Sequence, residues 1–542
     1  MVRPVEVIAR VRQDTERASE AYRRGLWVHT TLADSLRAAA ESSPHRIVLV
    51  DQDIRLDCAA LYNQASGLAA ALAARVPAGS VVSFMLPNWH EAAVIYLAAT
   101  LAGMVVNPIL PSLRDQDLRF ILEDAEVVMI FIPRQFGGHD YVAMLERVTT
   151  TMSAAPEVVV LRGEAGSATP YAALFGQYLD ADLPPTLDPD AVRMVLYTSG
   201  TTGRPKGVQH SHNSIHALIR QICDHWMIDS GDTFLVPSPI AHIGGSIYAF
   251  ECPLLLGTAA VLMDRWDPSS AVVLMDRERC THMAGATPFL QQLLAAAERA
   301  GTRLPDLKVF ICGGASVSPS LIRRAAGYFD RAVVTRVYGC TEIPVATIGA
   351  PGSDEAGPAA DTDGRPGIAE IKLVAHEAAP ADDCEICVRG PQLMLGYRHP
   401  EDDVDSFDAA GFFRTGDLGR WVDDKYLVVT GRAKDVIIRN GENISAKEVE
   451  DLLADHPGIC EIAVVGLPDA RTGERACAVI VPAGTANPDV ASLLALLVSK
   501  GVAKFKAPEQ VVLWDALPRN DAGKILKHRI RAALTQTETK DA

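Results

Sequence analysis

No apolar run in this chain is long enough to cross a bilayer. The most apolar long stretch, residues 92–106, falls short of the ~20 residues that a spanning helix needs. It reads as a buried helix running into a strand. The N-terminal segment MVRPVEVIARVRQDTERASEAYRRGLW interleaves charged with apolar residues and holds no signal-peptide core; a cytoplasmic protein without a membrane span is expected. Basic charge is also short. Lys and Arg number 51 against 67 Asp and Glu, a formal net charge of −16, which argues against a general affinity for nucleic acid or anionic membrane. An anionic ligand would need its own local pocket. A disulfide frame is missing too: ten cysteines are scattered over 542 residues, the usage of reduced cytoplasmic thiols rather than of a small secreted scaffold. Cys384 and Cys387 have metal or redox spacing, but they lie in the strand-like run ADDCEICVRG with no second Cys/His pair nearby, so the ligand count that zinc needs is not met.

What is present is a large globular chain. With 48% hydrophobic and 22% charged residues it can bury sizeable cores, and because single cores stop growing at roughly 250–300 residues, two or more domains are expected. No internal repeat is visible. Between about residues 45 and 340, short β-rich runs (47–50, 81–85, 127–132, 158–161, 192–197, 234–236, 259–263 and 309–312) alternate with Ala/Leu-rich stretches such as 61–74 and 89–102. Such alternation predicts parallel sheets covered by helices. From 360 to 430, Gly, Pro and Asp punctuate short strands at 368–374, 384–389 and 425–430, a β-rich subdomain. After Gly431 a small α+β unit follows: Ser445 and Glu448 form a capping box for a helix over 446–455 that Pro457 and Gly458 stop, then come strands at 462–465 and 476–481 and a helix near 490–500. The fold expected is α/β, with a large N-terminal domain over 1–430 and a small C-terminal domain over 431–542.

The segment YTSGTTGRPKGV, residues 197–208, carries the clearest chemistry. A β run ends at Tyr197 and delivers the hydroxyls of Thr198, Ser199, Thr201 and Thr202, the freely turning Gly200, Gly203 and Gly207, and the cation Lys206. Amides and hydroxyls of such a loop can wrap phosphate oxygens. It is not a Walker loop, because Lys206 is followed by Gly207 and not by Ser or Thr.

Further segments follow in order: AHIGG (241–245), CGGA (312–315), VYGCTE (337–342), RTGDL (414–418), GRAKDVIIRNGENISAKEVE (431–450) and PRNDAGKILK (518–527). Together with 32–108, which is similar to the opening of the same fold, these make the chain resemble the superfamily of acyl-CoA synthetases, peptide-synthetase adenylation domains and firefly luciferase. The resemblance implies an AMP-forming acid:CoA ligase. A carboxylate and ATP would give acyl-AMP and pyrophosphate, and CoA would then take the acyl group and release AMP, with Mg²⁺ as the metal and a small carboxylic acid as partner.

By the same resemblance, ATP or AMP would be held by Thr198, Ser199, Gly200, Thr201, Thr202, Lys206, Gly313, Gly314, Ala315, Tyr338, Gly339, Asp417 and Arg432. Asp417 would accept the ribose hydroxyls, Arg432 would steady the same sugar, and adenine would stack on Tyr338. Thr341 would bond the α-phosphate. Glu342 would hold Mg²⁺, a hard cation that prefers oxygen. Lys524 is the residue expected to carry the first chemical step, since a positioned ammonium stabilises charge that builds on the α-phosphate oxygens. Lys434 matches a hinge about which the small domain swings, and Gly441 a loop lining the pantetheine channel. Two departures stand out: Asn440 replaces a common glycine before Gly441, and Cys340 replaces a common Met, Ser or Leu.

His242 is similar to the residue bordering the acyl site, and Ile243, Gly244, Gly313, Gly339 and Cys340 would complete an apolar pocket without an amino-acid anchor. A monocarboxylic acid with an apolar body follows. The segments PNWHEAAVIYLA and DVIIRNGENISAKEVEDLL look most like cyclohexanecarboxylate-type and medium-chain ligases, which leaves alicyclic, aromatic, polycyclic and medium-chain acids open. Three rival readings stand beside this one: a thioesterification-only member fed with preformed acyl-adenylate, a ligase loading a carrier protein, and a non-catalytic nucleotide sensor. The short span from Glu342 to Asp417 and the absence of a carrier domain after Lys524 weigh against the second, and Lys524 itself weighs against the third. Assembly as a homodimer is left open.

Overall fold

The computed structural model describes residues 15–175, 187–198, 204–314, 317–352, 354–377, 379–380, 383–469, 471–484, 488–520 and 523–541, with side chains as far as 535. The alternating β-rich runs pair into two sheets. One is seven-stranded, in the order Val333–Arg336, Val309–Cys312, His282–Gly285, Thr233–Val236, Ala259–Leu262, Ile47–Asp51 and Ile54–Asp57, parallel apart from the last pair. The other is eight-stranded, in the order Gly396–Tyr397, Lys206–Ser211, Val192–Thr198, Val105–Pro108, Val81–Phe84, Val127–Pro133, Glu157–Leu161 and Thr169–Pro170. Here Lys206–Ser211 runs antiparallel to both of its neighbours. Two strands of the first sheet, His282–Gly285 and Val333–Arg336, go beyond those expected; the first, HMAG, has no β-branched residue to mark it.

A helix that is apolar all round must be covered all round. Residues 92–101 of the helix His90–Leu101 are buried without interruption, in one apolar cluster with Val48 and Leu49 of the first sheet and Val82, Phe84 and Val106 of the second. This helix is the shared core of the two sheets, and the apolar stretch 92–106 is thus helix and strand, as its length required. Among the described residues no helix is long and apolar enough to cross a membrane.

One ionic group is sealed inside this core. Tyr96 of the central helix and Arg193 of the second sheet both donate to Glu251 Oε1 at 2.7 Å, with Arg193 only 1% and Glu251 2% exposed. The register of Val192–Thr198 slips between Val192 and Met194, and such a bulge re-aims a side chain. Glu251 ends the π-helical turn Ile247–Glu251. Two local irregularities thus meet at one salt bridge that ties the central helix, the second sheet and the segment after residue 240.

The β-rich part is a four-stranded antiparallel sheet of Glu370–Val374, Cys384–Arg389, Phe413–Val422 and Tyr426–Arg432. Cys384 and Cys387 lie three apart on one of its strands and therefore face opposite ways; all ten cysteines are free thiols. The last unit pairs Glu442–Ile444, Ile437–Arg439, Gly473–Pro482 and Ile459–Asp469, with Gln510–Leu513 beside Gly473–Pro482. Its helix Ala446–Leu453 opens with Ser445 Oγ accepting from Glu448 N at 3.2 Å. Only this half of the expected box forms: the Glu448 carboxylate turns instead to Lys506 Nζ, at 2.7 Å from both oxygens.

The sealed ion pair is testable. Glu251→Ala leaves Arg193 buried without its counter-charge, and should destabilise the protein by about 3–5 kcal/mol, read as a lower denaturant midpoint; Arg193→Met with Glu251→Met should recover most of that loss.

Candidate active site

Strand Val192–Thr198 turns back into Lys206–Ser211 so that Thr198 stands opposite Lys206. The turn between them is the Gly/Ser/Thr segment, of which Ser199, Gly200, Thr201 and Thr202 lie outside the described residues, as does Ala315. Lys206 approaches Asp402 Oδ1 at 3.5 Å, and Arg204 donates to Asp402 Oδ2 at 2.9 Å. The Lys206 ammonium also stands over the ring of Tyr397, 4.6 Å from its centroid. Tyr397 lies on the edge strand Gly396–Tyr397, held against Val208, and its hydroxyl donates to Glu342 Oε1 at 2.9 Å.

Thr341 and Glu342 sit on the loop that follows strand Val333–Arg336. This loop is tightly folded: a Cβ on Gly339 would come within 2.5 Å of Val345 N. Val345 itself has φ +49, a left-handed conformation costly for a β-branched residue. Buried Gln221 holds it there, donating to the Val345 carbonyl at 2.8 Å while accepting Ile368 N at 2.8 Å. Buried His210 holds the other limb, with Nε2 2.7 Å from the Thr341 carbonyl. A carbonyl only accepts, so Nε2 carries the proton. Burial draws the His210 pKa down to about 4, and the imidazole stays neutral at ordinary pH. Cys340 is kept a thiol, its pKa pushed well up by burial and then by the Glu342 charge.

Asp417 is the meeting point of the second half. It lies on Phe413–Val422 opposite Arg432 of Tyr426–Arg432, is 6% exposed, and accepts from Tyr338 Oη at 2.8 Å and Arg432 Nε at 2.9 Å. Tyr338 is itself buried in the apolar cluster of Val208, Ile343 and Tyr397. Lys524 arrives from the C-terminal unit on a loop closed by Asn520, whose Oδ1 accepts Lys524 N at 2.8 Å and whose N donates to Lys524 O at 2.9 Å. Gly523 of that loop rests on the start of helix Thr287–Ala300: a Cβ there would lie 3.5 Å from Pro288 Cγ. Burial draws the Lys524 ammonium down to about 8; the positive charges of Arg432 and Lys434 act in the same direction and Asp417 opposes them. Its basic neighbour Lys527 is committed elsewhere, to Glu450 at 2.7 Å.

Tyr397 thus links Lys206 to Glu342 and its neighbour Thr341, Tyr338 and Arg432 both meet at Asp417, and Lys524 lies within the field of Asp417 and Arg432. Gly313 packs closely on the strand leading to Tyr338, since a Cβ there would come within 2.9 Å of Val337 Cγ2; Gly314 follows at φ +80. His242 precedes the short helix Ile243–Ser246, which contains Gly244. Ile243 packs on the large inter-sheet cluster together with Ala284, Val337 and Val345, whereas Cys340 packs on the cluster of Tyr338 and Tyr397. Lys434 is on the turn Ala433–Asp435 that follows Arg432. Gly441 is exposed and open: a Cβ there would meet nothing within 4 Å. Asn440 (φ +51) and Gly441 (φ +81) form the two-residue turn between Arg439 and Glu442, an Asn-Gly pair suited to two left-handed positions, so the departure at 440 costs the hairpin nothing. Sequence reasoning missed Tyr397, Asp402, His210 and Gln221, whose partners lie far away along the chain.

Comparison with known proteins finds matches over most of the chain. The family described as AMP-binding enzyme matches residues 36–398, and the AMP-binding enzyme C-terminal domain matches 448–524. The medium-chain fatty-acid–CoA ligase of Escherichia coli (strain K12) is 34% identical over 539 residues, 97% of this chain and 94% of that protein. A methyl-dioxo-octahydro-indenyl-propanoyl:CoA ligase of Rhodococcus jostii (strain RHA1) is 32% identical over 93% of this chain and 98% of its own length. Among solved structures, ATP-bound MatB from Rhodopseudomonas palustris superposes with a TM-score of 0.80 at 27% identity, covering 93% of this chain and 99% of that one.

The electrostatics of Lys524 can be checked without any assay of function. Competitive acetic anhydride labelling read by mass spectrometry should give Lys524 a titration midpoint near pH 8, the value that its burial and cationic neighbours set. Because the Asp417 charge raises that value, Asp417→Asn should move the midpoint lower; an upward move, or a midpoint like that of surface lysines, would contradict the described surroundings.

Proposed function

The chain belongs to the AMP-binding enzymes, whose acyl-CoA ligases it matches over nearly its whole length, and on that footing we propose that it converts an apolar monocarboxylic acid into its CoA thioester in two steps. The observation that carries this reading is the seating of Gly523 on the start of helix Thr287–Ala300, with Lys524 in the field of Asp417 and Arg432.

ATP lies across this site. The ribose hydroxyls donate to Asp417, whose carboxylate is desolvated and held in place by Tyr338 and Arg432, so a sugar hydroxyl gains a strong charge-assisted bond. The phosphates run past Thr341 toward the 198–206 turn and Lys206. Glu342 would hold Mg²⁺, a cation that takes one or two carboxylates beside phosphate oxygens, and the metal would supply neutralisation of phosphate charge. The substrate carboxylate attacks the α-phosphorus, the bond to pyrophosphate breaks, and acyl-AMP is formed. Lys524, protonated below about pH 8 in the free protein and more readily so beside phosphate, stabilises the charge that builds on the α-phosphate.

The CoA thiol then attacks the acyl carbonyl and AMP leaves. A domain organised over 431–542 swings away for this step, with Lys434 as hinge and Gly441 brought to the thiol channel. Polar contacts that support such a movement lie along the seam beside the seating of Gly523: Ser445 Oγ donates to Thr430 O at 2.5 Å, Asn443 Nδ2 to Ala379 O at 3.3 Å, and Ser320 Oγ to Asp455 Oδ1 at 3.1 Å. Bonds of that kind are readily exchanged for water.

The acid is read from the wall of the site. His242, Ile243, Gly244, Gly313 and Gly339, joined by the partly buried Ala284, Val337 and Val345, offer apolar contact and small residues rather than a charge. The two relatives named above act on a fatty acid and a bicyclic propanoate, which supports medium-chain, alicyclic, aromatic and polycyclic acids as the class.

Two assays test the proposal. A panel of acids with ATP, Mg²⁺ and CoA should release AMP with apolar monocarboxylic acids and not with amino acids; preference for an amino acid would refute the pocket. Lys524→Ala should slow acyl-dependent pyrophosphate exchange by about 10²–10³-fold while thioester formation from supplied acyl-AMP persists. Absence of exchange in the unaltered protein, with thioester formation intact, would mark it as a thioesterification-only enzyme.

A further inference from the structure

The polar contacts around Tyr397 exceed what an edge-strand tyrosine needs for packing. We propose that Tyr397 is a positioning residue that couples the two ends of the triphosphate site, its ring holding the Lys206 ammonium and its hydroxyl holding the Glu342 carboxylate. The inference rests on the ATP site proposed above and adds a residue and a coupling to it.

The geometry gives Tyr397 little freedom of its own. Its backbone is paired to Val208, its N donates to Asp403 Oδ1 at 3.0 Å, and its side chain is buried among Val208, Tyr338, Ile343 and Met394. From this fixed base it acts in two directions. The hydroxyl donates to Glu342 Oε1 at 2.9 Å, which settles the rotamer of a carboxylate borne on the strained 338–347 loop. Groups that orient a metal ligand in this way set the affinity of the metal itself. The ring face lies 4.6 Å from the Lys206 ammonium, a cation–π distance.

Lys206 has a second partner of another kind. Asp402 stands 3.5 Å from it and also takes Arg204 at 2.9 Å, an internal anion beside the turn where phosphates are proposed to lie. An incoming triphosphate can replace the Asp402 charge as counter-ion of Lys206 without disturbing the contact with the ring. The ring therefore keeps the ammonium in place during the exchange, and the same side chain keeps Glu342 aimed at the metal that arrives with the phosphates.

The test uses the full chain with ATP as the probe and no acid, by titration calorimetry with and without Mg²⁺. Tyr397→Phe retains the ring and its packing: metal-free ATP binding should be unchanged, while the Mg²⁺ concentration at half-effect rises about tenfold. Tyr397→Leu removes both contacts and should also weaken metal-free binding several-fold, in line with ~0.5–2 kcal/mol for a cation–π contact. In pyrophosphate exchange, excess Mg²⁺ should restore the rate of the Phe variant but not that of the Leu variant. An unaltered Mg²⁺ dependence in Tyr397→Phe, or an equal loss with and without metal, would overturn the coupling. Failure of the unsubstituted protein to bind ATP would instead overturn the site reading on which it rests.

Discussion

A single desolvated carboxylate, Asp417, holds together segments that lie far apart in the chain. It takes the hydroxyl of Tyr338 and the guanidinium of Arg432, and its charge favours the ammonium of Lys524 on a loop that begins about a hundred positions later. Burying such a group is costly unless it is fully bonded. Each of its bonded partners therefore has a fixed place: Tyr338 in the apolar cluster and Arg432 across the ladder. Lys524 lies in that field while Gly523 rests on the helix beginning at Thr287.

The loop carrying Thr341 and Glu342 shows a complementary arrangement. Its strained Val345 is retained by groups that carry no charge, a neutral imidazole and an amide, each buried and each bonded to a main-chain carbonyl. Neutral supports would not reorganise if phosphate charge arrived nearby, as the proposed function has it. The charged groups, Lys206, Arg204, Asp402 and Glu342, lie on the open side, where their partners can be exchanged. Rigid neutral backing with a replaceable ionic front is the arrangement expected of preorganised anion binding.

Much of this was legible in the amino-acid order. Alternation of β-rich and helical runs implied covered parallel sheets, and the sheets formed as expected; the unbroken apolar stretch 92–106 implied a helix with no free face, and it became the shared core. The motif segments resembled those of the adenylate-forming enzymes, and family membership followed. Other elements were not legible for physical reasons. The strands His282–Gly285 and Val333–Arg336 owe their state to neighbours already in register, and the carboxylate of Glu448 preferred an ammonium from another element to its own cap.

Local order by itself determined which stretches could be helix or strand, that the chain must divide into more than one core, and which residues carry hydroxyl, ammonium or carboxylate chemistry, because periodicity and residue type act over a few positions. Tertiary structure decided the partners: that Tyr397 stands between Lys206 and Glu342, that His210 and Gln221 brace the strained loop, and that Tyr338 and Arg432 meet at Asp417. Those contacts join positions separated by tens to hundreds of residues, and a hydrogen bond or ion pair depends on distance in space, which only the packed sheets establish.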